Sequence, residues 1–190
     1  MNLKSIITVM ALILIMFMAA IETSIISLAL PTIKNSLNAG NLVSLVFTVY
    51  FIALVIANPI VGELMSRFKI INIAVVGVSL FALGSLMSGL SQTFTFLIIS
   101  RIVQGFGAGV MMSLSQIVPK LAFEIPLRYK IMGIVGSVWG ISSIIGPLLG
   151  GAILEFASWH WLFYINIPIA ILAIILVFMT FHFPDETQVQ

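Results

Sequence analysis

Six long apolar runs, separated by short polar breaks, constrain this chain more than any other feature of its sequence. They cover residues 6–30, 42–64, 70–90, 94–118, 130–153 and 161–182. A hydrocarbon core of about 30 Å is crossed by roughly 20 residues of α-helix, so each run is long enough to span a membrane. Transmembrane β-strands would show alternating polarity over about 10 residues, which no segment does. We therefore predict an all-α membrane protein with six transmembrane helices.

The composition supports this prediction and excludes several kinds of site. Hydrophobic residues make up 61% of the 190, charged residues only 7%, and the mean hydropathy is +1.25. A soluble domain would need far more polar surface. The chain has no cysteine, which excludes disulfides and thiolate metal sites. We expect a lipid bilayer as its surroundings, and no metal ion, cofactor or nucleic acid as a ligand.

Basic residues in the connections between the runs predict the orientation. The connections on one side of the membrane, with the N-terminus, carry Lys4, Arg67, Lys69, Lys120, Arg128 and Lys130. Only Lys34 falls on the other side. Because cytoplasmic connections are enriched in Lys and Arg, we expect both termini to be cytoplasmic in a cell membrane. Residues 1–184 would then form the bundle, and residues 185–190 a polar cytoplasmic tail.

A weak internal repeat appears when the chain is compared with itself at an offset of 88 residues. The matching pairs are Pro31 with Pro119, Pro59 with Pro147, and Gly62 with Gly150. This offset equals three spans, an odd number, so the second copy would enter the membrane from the opposite face. We predict an inverted 3+3 repeat over residues 6–90 and 94–182. A six-helix protein without duplication is the alternative.

Four short motifs occur in order along the chain. The first run ends in the segment IETSIISLALP, which begins at Ile21. The fourth run holds a pattern R-x-x-Q-G-x-G-x-G, formed by Arg101, Gln104, Gly105, Gly107 and Gly109. The fifth run holds a pattern GP-x-x-GG, formed by Gly146, Pro147, Gly150 and Gly151, and it is followed by WHWLFYINIP at Trp159 to Pro168. Together these motifs resemble the major facilitator superfamily, and within it the fourteen-helix drug:proton antiporters. Glu22 stands where those antiporters usually have an aspartate.

The resemblance implies proton-coupled efflux of hydrophobic or cationic drugs. Members of the family place the solute between two bundles, and alternating access needs one bundle to move against the other. The six runs therefore look like an N-terminal half, whose partner would be a second bundle of six or eight helices. There are two alternatives. The chain could be a transport-incompetent or regulatory half, or it could belong to an exporter of a different small solute. We expect no enzyme, since the chain has neither paired aspartates nor a P-loop.

One family motif is degenerate. The connection after the second run normally reads close to G-x-L-x-D-R-x-G-R-R, and here Gly62, Leu64 and Arg67 match it. Ser66 replaces the aspartate. In the family this loop is thought to latch the two bundles together on the cytoplasmic side. Without its carboxylate, the latch would be lost or made differently.

Two charged residues lie deep inside apolar runs, Glu22 in the first and Arg101 in the fourth, whereas Glu63 and Lys130 lie at the ends of theirs. If the first helix ends externally at Pro31, the helical rise places Glu22 about 13 Å from the external surface. If the fourth begins near Thr93 or Phe94, Arg101 lies about 10 Å from the same surface. Either charge alone would be costly there, and an opposed pair would share the cost. The pair could be a structural salt bridge. It could also be a switch in which Glu22 takes up the proton, because arginine stays charged.

The other candidate residues each keep two interpretations. Gly105, Gly107 and Gly109 could serve only close helix packing, which is compatible with transport. Pro147 could only kink its helix, whereas the family resemblance favours control of leakage. Trp139, about 15 Å from the cytoplasmic face, could contact an aromatic or cationic solute in the cavity, or pack toward lipid.

Overall fold

The computed structural model describes residues 2–181, and helices make up nearly all of this part of the chain. The α-helices are α1 (Leu3–Leu37), α2 (Leu45–Met65), α3 (Ile70–Leu90), α4 (Phe94–Ala122), α5 (Leu127–Phe156), α6 (Trp161–Tyr164) and α7 (Asn166–Thr180). A short 3₁₀ helix, Gly40–Ser44, precedes α2. Six helical segments within the described residues are long and apolar enough to cross a membrane, with α6 and α7 together forming the sixth. The prediction of an all-α, six-span, multi-pass membrane protein is confirmed.

The first helix is longer than the predicted run of residues 6–30. It has 35 residues, about 52 Å at 1.5 Å per residue, and it passes through Pro31 instead of ending there. The helix ends where Asn38 adopts a left-handed conformation, with φ of 53°, and its backbone N–H donates to the carbonyl of Lys34. A proline removes only one hydrogen bond, so the helix continues for another one and a half turns or so. The use of Pro31 to mark the external end was therefore wrong.

The sixth span is broken near its start, which the prediction of one continuous helix over 161–182 did not anticipate. Helix α6 ends at Tyr164 and α7 begins at Asn166. Pro168 has no backbone N–H, so it cannot donate to the carbonyl of Tyr164 as an α-helix requires. Residue 182 and the predicted tail at residues 185–190 lie outside the described part of the chain.

The helices pack in a pattern that an internal two-fold exchange would generate. Helix α1 packs mainly against α5 and α7, and α4 packs mainly against α2 and α3. Exchanging α1 with α4, α2 with α5, and α3 with α7 converts each of these pairings into the other. This is the arrangement expected for an inverted 3+3 repeat.

Three glycines on α4 allow its neighbours to approach closely. A Cβ atom added at Gly105 would lie 2.5 Å from the carbonyl oxygen of Tyr50, and one at Gly109 would lie 2.5 Å from that of Leu54, both on α2. A Cβ atom at Gly107 would meet the backbone of α3, where the carbonyl oxygen of Gly77 would be 2.7 Å away. These distances are too short for a side-chain carbon, so only glycine permits this packing. Gly105 and Gly109 thus allow close packing against α2, and Gly107 allows it against α3.

A polar layer divides the apolar interior into two clusters. The larger cluster includes residues 9–19 of α1, residues 108–118 of α4 and residues 170–181 at the end of the sixth span. The smaller one includes residues 21–33 of α1, Leu97 of α4 and Phe163 of α6. Between them lie buried polar side chains from five helices: Glu22, Tyr50, Ser85, Arg101, Gln104 and Asn166. The candidate functional site lies in this layer.

We expect Gly105→Ala to lower the free energy of unfolding of the 190-residue chain by about 1–3 kcal/mol, the usual cost of overpacking. Gly136→Ala on α5 is the matched control, because a Cβ atom there has open space around it. Thermal unfolding in detergent, followed by size-exclusion chromatography, measures both. Equal melting temperatures for the two variants would show that the close approach of α4 to α2 has been wrongly described.

Candidate functional site

The centre of the polar layer is an ion pair between Glu22 of α1 and Arg101 of α4. The guanidinium Nη1 donates to the carboxylate Oε1 at 2.5 Å. The two side chains are 1% and 0% exposed, respectively. Removing two charges from water is expensive, and their attraction compensates only where further hydrogen bonds complete the pair. The surrounding residues supply most of those bonds, and Nη2 of Arg101 is left without a partner among the described residues.

Besides α1, Arg101 is held by α2 and by its own helix, α4. Its Nε donates to the carbonyl of Val46 on α2 at 3.0 Å, and its Nη1 also donates to Oε1 of Gln104, one turn along α4, at 2.9 Å. Its guanidinium carbon lies 4.2 Å from the centre of the Tyr50 ring. Such a contact favours a cation over the ring face. The planar fork of arginine makes these directed contacts, which a lysine could not reproduce.

The second oxygen of Glu22 contacts a residue to which the sequence analysis assigned no role. Asn166, the first residue of α7, donates from Nδ2 to Oε2 of Glu22 at 2.9 Å and to Oγ of Ser85 at 2.9 Å. Asn166 lies inside the motif WHWLFYINIP, and an amide within an apolar run was a signal that could have identified it. Ser85 carries no such signal, because serine is common in membrane helices and its contacts come from distant helices.

The chemistry available to this cluster is proton uptake and release. Arginine remains charged at physiological pH, so the carboxylate of Glu22 is the member of the pair that can titrate. Within residues 2–181, no group of three or more His, Cys, Asp or Glu side chains could hold a metal ion. The cluster contains side chains from α1, α2, α3, α4 and the sixth span, so a change of charge at Glu22 would alter the electrostatic surroundings of residues in five of the six spans.

The structure divides the GP-x-x-GG motif of α5 between two faces. Gly146 and Gly150 face α1, where added Cβ atoms would meet Ser24 and, at 3.2 Å, Leu28. Pro147 is exposed, and a Cβ atom at Gly151 would have nothing within 4 Å. Gly146 and Gly150 therefore allow packing inside the bundle. Pro147 and Gly151 lie on the exposed face of α5.

Trp139 lies against α1. It is half-buried beside the larger apolar cluster, and its indole N–H donates to the sulfur of Met16 at 2.9 Å. The indole N–H therefore contacts α1, and both interpretations of Trp139, solute contact and packing toward lipid, stay predictions.

The degenerate loop motif has its own arrangement at the end of α2. Ser66, in place of the aspartate, donates its hydroxyl to the carbonyl of Glu63 at 2.7 Å. Arg67 pairs with the carboxylate of Glu63 at 3.2 Å, and both side chains are 69% exposed. Glu63 thus supplies Arg67 with a carboxylate one turn earlier in the chain. An exposed pair of this kind contributes about 0.3–0.5 kcal/mol, so it adds little stability within the bundle itself.

The chain is similar to a known protein family over most of its length. The model of the Major Facilitator Superfamily matches residues 12–190. The multidrug efflux pump SdrM of Staphylococcus aureus (strain N315) is 82% identical over 189 residues, which cover 100% of this chain and 42% of SdrM. The multidrug transporter protein MdtP of Bacillus subtilis (strain 168) is 33% identical over 92% of this chain and 32% of MdtP. The chain spans less than half the length of these curated relatives.

Among solved structures, the D-xylose-proton symporter has a similar backbone. It matches with a TM-score of 0.82 and 16% sequence identity, over 94% of this chain and 49% of the symporter chain. At this identity the likeness concerns the fold alone. The six helices correspond to about half of that transporter.

Proposed function

The chain belongs to the Major Facilitator Superfamily, and on that premise we propose that it is the N-terminal bundle of a proton-coupled drug exporter. Hydrophobic or cationic drugs are the proposed substrates, and protons the coupling ion. The names of its relatives SdrM and MdtP support the substrate class. The protein is then a transporter and not an enzyme. The observation that carries the proposal is the buried pair of Glu22 and Arg101.

The proposed mechanism uses the change of charge at Glu22. With Glu22 ionised, the pair is neutral overall and a cationic drug can be accommodated in the bundle. When Glu22 takes a proton, Arg101 loses its counter-charge, and the net positive charge of the layer disfavours a bound cation. Binding of the proton and binding of the cationic drug then exclude each other through one carboxylate. Proton entry is thereby linked to drug release.

The second bundle is proposed to pack on the exposed faces of α2 and α5. On α5, Cβ atoms added at Gly133, Gly136 and Gly140 would all have open space around them, at spacings that place them on one face. Small residues of this kind allow another helix to approach closely. Relatives more than twice as long as this chain supply the length for such a bundle.

The proposed drug pathway includes the groove between α2 and α4. A cavity of about 310 Å³ is lined by uncharged residues, among them Asn58, Met112 and Gln116. The hydroxyl of Ser113 donates to Oδ1 of Asn58 at 2.7 Å across the groove. Its mixture of apolar and amide groups suits a hydrophobic solute with a few hydrogen-bonding atoms. Trp139, with its flat ring, is a second candidate contact.

The proposed orientation places both termini in the cytoplasm of a cell bounded by this membrane. We expect single cysteines at Lys69 and Lys130 to be protected from an impermeant thiol reagent in intact cells, and cysteines at Asn38 and Ser158 to be labelled. The chain has no cysteine of its own to interfere. Labelling after membrane permeabilisation is the control for reactivity. Labelling at Lys130 in intact cells would reverse the proposed orientation.

We expect Glu22→Gln, in the two-bundle transporter, to reduce proton-driven export of ethidium to the level of vesicles without transporter. Glutamine keeps the size of the side chain but cannot exchange a proton. Arg101→Lys should also impair export, since an ammonium group cannot make the same set of directed bonds. Ethidium uptake into everted vesicles under an imposed pH gradient measures both.

Glu124→Gln is the control variant, because Glu124 is an exposed acid in the connection between α4 and α5, outside the polar layer. We expect it to retain most of the wild-type export. Undiminished export by Glu22→Gln, with the wild-type dependence on pH, would overturn the proposed coupling and leave the ion pair a structural feature.

A further inference from the structure

The break in the sixth span places an amide group directly against the carboxylate of Glu22. Asn166 follows the break between α6 and α7, and its side chain is fully buried. Nδ2 uses its two hydrogens on Glu22 Oε2 and Ser85 Oγ, each at 2.9 Å. The same residue therefore contacts the ion pair and begins a helix.

Ser85 fixes which way this amide faces. Its hydroxyl donates to the carbonyl oxygen of Phe163, on α6, at 2.5 Å. A carbonyl only accepts hydrogen bonds, so the single hydrogen of Ser85 is committed there and its oxygen can only accept from Asn166. If the amide were reversed, Oδ1 would face the lone pairs of both Ser85 and Glu22. The orientation with Nδ2 toward Glu22 is therefore set by a carbonyl at the break.

The groups that bind the carboxylate of Glu22 match its ionised form. Nη1 of Arg101 donates to Oε1 and Nδ2 of Asn166 donates to Oε2. A protonated Glu22 would carry an O–H donor, which needs an acceptor instead. Oδ1 of Asn166 is buried and has no hydrogen-bond partner among the described residues. Half a turn of the amide brings this acceptor to the position that the protonated carboxyl requires.

The other neighbours of Glu22 cannot play this part. The charged and titratable groups around it are Arg101 from α4, which only donates, and Tyr50 from α2, whose ring lies under the guanidinium. Helices α3 and α6 contribute the uncharged Ser85 and the Phe163 carbonyl. The face of α5 toward α1 carries Ser142 and glycines, none of which titrates. Gln104 is the other amide near Glu22, but its Oε1 already accepts from Nη1 of Arg101. Asn166 is the amide that both donates to Glu22 and has an acceptor without a partner among the described residues.

We propose that Asn166 is a positioning residue that senses the protonation state of Glu22 and transmits it to the break in the sixth span. A proton from water binds Oε2, and the amide turns so that Oδ1 accepts it. The hydroxyl of Ser85 then turns from the Phe163 carbonyl to donate to Oδ1 as well. The carbonyl at the break thereby loses its hydrogen bond, which frees α6 to move relative to α7. This inference rests on the proposed function, because it takes Glu22 as the coupling carboxylate.

Equilibrium binding of tetraphenylphosphonium to the purified two-bundle transporter, between pH 5 and 9, tests the proposal. Wild-type binding should weaken as the pH falls and Glu22 takes its proton. In Asn166→Leu the ionised carboxylate loses a donor, so we expect the midpoint to move to higher pH by about one unit, the effect of one charge-assisted hydrogen bond. Ser85→Ala should shift the midpoint in the same direction, because the amide can then turn without disturbing the break.

Asn72→Leu is the control, since Asn72 is exposed near the start of α3 and lies about 20 Å along the helix from Ser85. Its midpoint should equal that of the wild type. If Asn166→Leu fails to fold, Ser85→Ala decides the question alone. Unchanged midpoints in the variants that fold, with a pH-dependent wild type and a pH-independent Glu22→Gln, would overturn this proposal and leave the proposed function intact. Binding by wild type that does not depend on pH would instead contradict the proposed function.

Discussion

The burial of Glu22 against Arg101 is the interaction on which the rest of the bundle depends. Two opposite charges with at most 1% exposure are tolerable in an apolar interior only where hydrogen bonds replace the lost water. Here every nitrogen and oxygen of the pair except Nη2 of Arg101 has a partner among the described residues. Meeting that requirement draws α1, α2, α3, α4 and the sixth span to one layer. The apolar interior is consequently divided in two, with one cluster on each side of the pair.

Close packing and charge burial support each other in this arrangement. Gly105 lies one residue after Gln104, so the glycine that lets α4 touch α2 sits beside the amide that binds Arg101. The same close approach brings the carbonyl of Val46 within 3.0 Å of the guanidinium. The layer is closely packed on its α2–α4 side and adjoins the helix break on its α6–α7 side.

The sequence was sufficient to predict the six spans, because apolar length alone decides whether a helix can cross a membrane. It also indicated Glu22 and Arg101, since charges inside apolar runs are rare and expensive. It did not indicate the extension of α1 through Pro31 to Leu37, which depends on a local cap at Asn38. The roles of Ser85 and Asn166 were missed because their partners lie about 80 and 140 residues away in the chain, and no local pattern records such contacts.

Infrared difference spectroscopy of the two-bundle transporter, comparing neutral with acidified samples, tests most directly whether Glu22 is an ionised carboxylate that takes up a proton. We expect acidification to produce a carboxylic-acid carbonyl band that is absent at neutral pH, and the part of it due to Glu22 to be missing in Glu22→Gln. The exposed carboxyl groups contribute equally to both proteins and cancel in the comparison. Identical acid-induced bands in the wild type and in Glu22→Gln would contradict a titrating ion pair at the centre of this bundle.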